Sequence, residues 1–151
     1  MRLHQPLDAR WGIATVRILM GVILVVAGLQ KWLGGIGGTV GFFTQLGIPM
    51  PQVMGPIIAT GEVVGGLLIL LGLGARWVAL WFVAEFLVIS LVVRLPRQGW
   101  DASRLDLMML AGSMVLFLVG AGKLALDDAV ARRRAVATGT LGATQMASRS
   151  Q

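Results

Sequence analysis

The sequence predicts an all-α fold, a membrane-spanning four-helix bundle with up-down-up-down topology. Three observations carry that expectation. The chain of 151 residues is 56% hydrophobic and only 13% charged, about half the roughly 25% charge of a soluble domain. Its apolar residues gather into four segments, about 13–33, 53–73, 77–95 and 105–122, each near the roughly 20 residues that cross a hydrocarbon core of about 30 Å. Its Lys and Arg residues fall mainly outside those segments, as topology signals do.

Composition also excludes whole classes of function. Mean hydropathy is +0.82 and the pI about 11.6, with a net charge of +6. In a membrane chain this excess matches topology signals and anionic lipid, not nucleic acid. There is no cysteine, and the one histidine is His4 in the polar N-terminal arm. The chain itself therefore cannot carry disulfide exchange, a thiolate zinc site or an iron–sulfur cluster. A bis-histidine haem inside the bundle is excluded within one chain, and no metal site is expected. One domain is the natural count.

Residues 1–12 read as a cytoplasmic arm and 13–126 as the transmembrane domain. The first apolar segment is longer than the core of a signal peptide and lacks an Ala-x-Ala site, so it reads as a retained helix. Arg17, Gly21, Leu24, Gly28 and Lys31 step by 4, 3, 4 and 3 and share one stripe. The glycines there favour close helix packing, and Lys31 sits where it can snorkel to an interface. The connection 34–52 holds no charge, carries Phe42 and Phe43, and ends in Pro49 and Pro51. Such a segment is expected to fold back as a short interfacial or re-entrant piece capping the bundle.

The second segment carries a single charge, Glu62, near its middle. A carboxylate there costs roughly 2.5–3.5 kcal/mol on insertion scales, so it must face helices, a polar group or trapped water. Gly55, Ala59, Glu62, Gly66, Ile69 and Gly72 share its stripe. A very short turn through Arg76 makes the third segment an antiparallel neighbour. Trp77 and Trp81 open that segment as interfacial aromatics, and Glu85 follows nine residues after Arg76. Glu62 likewise lies nine residues after Val53. Both offsets are about 13–14 Å at helical rise, which places the two acids at one depth. Two such acids repel if both are ionised, so a cation or hydrogen-bond donor is expected between them.

Residues 96–103 read as a polar loop, with Asp106 at the start of the fourth helix complementing its dipole. Met108, Met109 and Met114 read as adaptable packing residues. Residues 127–151 read as a basic tail, with Arg132, Arg133 and Arg134 clustered and a Thr/Ser/Gly/Ala-rich end expected to be disordered. Nine of the thirteen Lys and Arg residues fall on the side of both chain ends and four, Lys31, Arg94, Arg97 and Arg104, on the other. The positive-inside rule then places both termini in the cytoplasm, in a multi-pass protein of the inner membrane.

Arg17 lies about 6 Å inside its boundary and Glu62 about 16 Å from the same face, an axial offset near 10 Å. Lys31 is offset by a similar amount on the other side. Direct pairing is therefore not required, and Arg17, Lys31, Glu62 and Glu85 are expected to line a polar cleft walled by Leu, Val, Phe and Met. Such a cleft suits a ligand with a polar head and an apolar tail, a quinone or another isoprenoid or lipid. A carboxylate beside a quinone carbonyl can deliver or accept a proton.

The pattern Arg17-x-x-x-Gly21 with Gly28-x-x-Lys31, then Glu62-x-x-Gly65-Gly66, Leu70-x-Gly72 and Arg76, then Gly120-x-Gly122-Lys123 with Leu126-Asp127, resembles the DoxX family of small four-helix membrane proteins. The resemblance covers roughly residues 13–128. It implies an integral membrane bundle, a quinone as the non-covalent ligand, and polar family positions at Arg17, Lys31 and Glu62. It also implies quinone-linked oxidoreductase chemistry, the family name coming from a subunit of a thiosulfate:quinone oxidoreductase, or partnership with redox or stress-response proteins. With no cysteine and no histidine in the bundle, electron transfer would need a bound quinone, a partner subunit or both.

Three functions compete at this stage. The first is a redox membrane protein that binds a quinone-type ligand and works with a protein partner or as a homo-oligomer. The second is a non-catalytic accessory or assembly subunit of a larger membrane complex. The third is a small carrier or proton-linked permease using the same central acids.

Overall fold

The computed structural model describes residues 9–127. The arm before Ala9 and the tail beyond Asp127 lie outside the described residues. Five helices follow in order: α1 Ala9–Leu33, α2 Ile36–Gln45, α3 Pro51–Leu71, α4 Ala75–Leu87 and α5 Leu95–Val119, with a π-helical segment Val88–Arg94 joining α4 to α5. Helix α1 starts four residues earlier than the apolar run, because Ala9, Arg10 and Trp11 extend it.

Three of these stretches are long and apolar enough to cross a membrane, and the third, Ala75–Val119, is 45 residues long. It crosses twice. Gly99, at φ 80° and ψ −172°, breaks the helix in a backbone region essentially reserved for glycine. Beyond it the chain returns antiparallel: Arg94 meets Asp106 and Arg76 reaches the Leu118 carbonyl. The third span is thus 75–98 and the fourth 100–119. The loop expected over 96–103 is helical except at this one glycine. The polar residues there reach the interface as helix surface, so the turn needs no longer loop. The result is the all-α, four-pass membrane bundle.

The uncharged first connection forms the ten-residue helix α2. It buries Phe43 and, just beyond its end, Leu46, and it packs on α1 and α3. Helix α3 ends at Gly72, whose left-handed φ of 70° lets its N–H and that of Leu73 take the Ile69 and Leu68 carbonyls.

Helices α1 and α3 form the tightest pair. A Cβ built on Gly28 would sit 2.7–2.8 Å from Val63 and the Ala59 carbonyl. One on Gly21 would sit 2.9 Å from Leu70, and one on Gly66 would sit 2.8 Å from Leu24. These contacts are closer than real Cβ atoms allow, so the glycines permit the backbone approach that substitutes for a hydrophobic drive within lipid. The opposite faces are apolar and exposed, as at Leu19, Val22, Val26 and Val64, which fits lipid contact.

Between α3 and the third span the packing is uneven along the membrane normal. Near the chain ends Phe82 enters a notch at Gly65, where a Cβ would lie 2.7 Å from its ring. Phe82 stacks with Phe86, with centroids 5.9 Å apart. With Met20, Leu24, Ile69, Ala79, Met109 and Leu116 they fill that half of the bundle with a dry core. Toward α2 the two spans part, and the space between them is the cavity.

Candidate functional site

The cavity holds about 510 Å³. Helix α2 and the turn after it cover one end through Phe42, Phe43, Leu46 and Ile48. Met54 and Ile58 come from α3, and Trp81, Ala84, Phe86, Ile89 and Val93 from the third span. Into this apolar wall project Lys31, Glu62, Glu85, Arg94, Arg97 and Asp106.

Three of the four residues singled out in the sequence meet here. Lys31 Nζ lies 2.5 Å from Glu62 Oε2, so these two do collapse into a direct pair. The reason is geometric. The Gly28 contact holds α1 and α3 so close that the flexible lysine spans the axial offset and turns inward. Glu62 is 6% exposed, and a buried carboxylate without that ammonium would carry a large desolvation cost. Glu85 faces the same cavity and accepts from the Trp81 indole Nε1 at 3.1 Å, one turn back on the same helix.

Arg17 is elsewhere. It is 1% exposed and donates from Nη1 to the Ala121 carbonyl at 3.1 Å and from Nη2 to the Leu124 carbonyl at 3.2 Å. Its guanidinium lies against Gly72, on the far side of the dry core from the cavity. It ties the segment after the fourth span to α1 and the α3 turn. Nearby, Gly74 N–H donates to Asp127 Oδ1 at 3.1 Å. A second cavity of about 500 Å³ lies at that end, among Arg10, Arg76, Trp77 and Asp127.

The residues missed in the sequence are Arg94, Arg97 and Asp106. Arg94 Nη1 donates to Asp106 Oδ2 at 2.9 Å and to the Ala102 carbonyl at 3.4 Å. Its Cζ lies 5.3 Å from the Phe42 ring centroid, a cation–π distance. Asp106 therefore does not act as a helix-start charge. The helix begins a turn earlier, which leaves Asp106 inside it and facing Arg94. Arg97 lies over Gly47, where an added Cβ would meet its Nη1 at 3.0 Å. The available signal was Gly99, which sits between Arg94 and Asp106 and folds them together.

The π segment sets where Arg94 points. Within it Ser90, fully buried, donates its hydroxyl to the Phe86 carbonyl, a local bond that competes with the helix ladder and bends it. A π turn advances fewer degrees per residue than an α turn and is a frequent feature of functional sites. The buried hydroxyls of Ser103 and Ser113 bond likewise to Gly99 and Met109 carbonyls, so they offer the cavity nothing. Among the described residues no group of three His, Cys, Asp or Glu side chains is placed to hold a metal ion.

A four-pass helical bundle with a charged cavity between its second and third spans defines the class: a small polytopic membrane protein with an intramembrane polar site. The DoxX family model matches residues 12–95, more than half the chain. The chain belongs to the DoxX family. It is similar to a Bacillus subtilis protein named "Putative oxidoreductase CatD", at 34% identity over 119 residues that cover 79% of this chain and 87% of that one. It is also similar to "Uncharacterized membrane protein Rv3486" of Mycobacterium tuberculosis, at 29% identity over 131 residues, 78% of this chain and 80% of that one. No solved structure matches.

Proposed function

We propose that this protein binds a quinone or similar lipid-like ligand in the cavity and serves membrane redox chemistry together with a protein partner. The observation that carries the reading is the meeting of Lys31, Glu62, Glu85, Arg94 and Asp106 around one apolar, aromatic-walled space within the spans. Ionisable groups at such depth are costly and commonly mark a functional path. The name of the Bacillus relative points to the same class of chemistry.

The residues suit such a ligand. Lys31, Arg94 and the Trp81 N–H are donors for carbonyl oxygens, the rings of Phe42, Phe43 and Phe86 face a flat head group, and Ile58, Val88 and Val92 offer an apolar track for a tail. A quinone, when bound, supplies two-electron, two-proton exchange. Within this chain Lys31 and Arg94 orient and polarise, while Glu62 and Glu85 hold or pass protons at their carboxylate oxygens. The sequence has no cysteine, so the partner supplies or removes the electrons. The uneven Lys and Arg distribution supports an inner-membrane location with both termini cytoplasmic.

A second reading has an observation of its own. The cavity's ionisable groups satisfy one another, as Lys31–Glu62 and Arg94–Asp106, with Glu85 held by Trp81. That is what a non-catalytic accessory subunit needs of its interior. Gentle purification with native lipids and mass spectrometry separates the two. The redox reading expects a stoichiometric quinone that is lost in Glu62→Gln. A reproducible co-purifying protein without quinone, or an unchanged quinone content in folded Glu62→Gln, defeats it.

A further inference from the structure

We propose that the cavity exchanges protons and polar groups with one membrane face only, the face of α2 and the Gly99 turn. It is sealed from the face that carries Ala9 and Asp127. The inference goes beyond the quinone reading and does not depend on the ligand's identity.

Two independent observations point this way. The first is the order of the polar groups along the membrane normal. Arg97 stands exposed at the rim beside Gly47. Arg94 with Asp106 comes next, and Glu85 and the Lys31–Glu62 pair lie furthest in. Glu85 is ten residues from the start of α4, about 15 Å from the opposite end at helical rise. Ionisable side chains therefore step from one face to mid-depth, each within a turn or two of the next.

The second observation is what lies beyond them. Phe82 fills the Gly65 notch, and Leu24, Ile69 and Leu116 close around it, each 1% exposed or less. No ionisable side chain belongs to this core. From Glu62 to the end of α3 is nine residues, about 13–14 Å of packed apolar side chains. A proton or polar group crossing that layer would lose every hydrogen bond on the way, at several kcal/mol. Arg17 sits beyond the layer, on the Ala121 and Leu124 carbonyls, and does not bridge it.

The absence of cysteine makes the test direct, since any introduced thiol is the sole one. Full-length variants Ile89→Cys and Val93→Cys place it in the cavity wall, and Ala79→Cys places it in the apolar layer. Gln98→Cys and Leu124→Cys mark the two faces. Each is treated with a charged, membrane-impermeant methanethiosulfonate in right-side-out and in inverted membrane vesicles. Expected is labelling at 89 and 93 from the face that labels 98, at least about tenfold faster than from the other, because only a water-exposed thiolate reacts. Ala79→Cys stays unlabelled from both. Labelling of 89 and 93 from the face that labels 124, or equally from both faces, overturns the proposal, as does protection from both. Two cavity positions guard against one substitution unfolding the bundle, checked by monodisperse elution. No ligand enters the readout, so its failure and that of the quinone reading are separable.

Discussion

Lys31 and Glu62 show how much one contact can decide. A lysine near a helix end in lipid has an inexpensive alternative, snorkelling to the head groups. Here it turns inward, because Glu62 is buried and has no other charge so near. Lys31→Met leaves that carboxylate uncompensated and is expected to destabilise the protein by about 3 kcal/mol, while adding Glu62→Leu restores most of the loss. Unfolding in mixed detergent, compared across the single and double variants, measures both. The stripe containing Lys31 and the central position of Glu62 were both legible in the sequence. The pairing was not, since it depends on how closely α1 and α3 approach, and two or three ångströms decide whether a lysine reaches. Arg17 was legible as a buried charge, but its partners are main-chain carbonyls at Ala121 and Leu124, which leave no mark in residue types.

At the scale of the helices, glycine placement separates tight from loose contacts. Gly28 lies under Val63 and the Ala59 carbonyl, whereas a Cβ on Gly61 would meet nothing nearer than the Trp81 indole nitrogen at 3.7 Å. Gly28→Leu is therefore expected to cost about 1–3 kcal/mol, the range of an overpacked core. Gly61→Ala should stay within about 0.5 kcal/mol, as a surface change does. Denaturant titrations of the two variants side by side check the contrast. The four spans were readable from hydropathy alone, and the small-residue stripes correctly marked the α1–α3 seam. The third-to-fourth connection was not, because polar composition at an interface looks the same whether the chain is looped or helical. Gly99 alone carried the information.

For the whole molecule, the division into a packed half and a hollow half has a dynamic consequence. Local openings are cheapest where buried apolar contacts are few. Hydrogen exchange in lipid nanodiscs should therefore proceed first in α2 and in the π segment Val88–Arg94, and last in the α1–α3 seam between Ala59 and Ile69. Equal protection along the third span would contradict the uneven packing described here. This division could not be read from the sequence, in which both halves of each span are similarly apolar. It emerges only from where the spans diverge.

The π segment also bears on how the family's sequences diverge. Such a turn amounts to one residue more than an α-helix of the same length requires. A relative one residue shorter between the positions of Glu85 and Leu95 would close this stretch into ordinary α-helix. Everything after it would rotate by about 100° around the axis, and the arginine that now meets Asp106 would turn out toward lipid. A single alignment gap at this place would therefore sort relatives that keep the second charged pair from those that have replaced it.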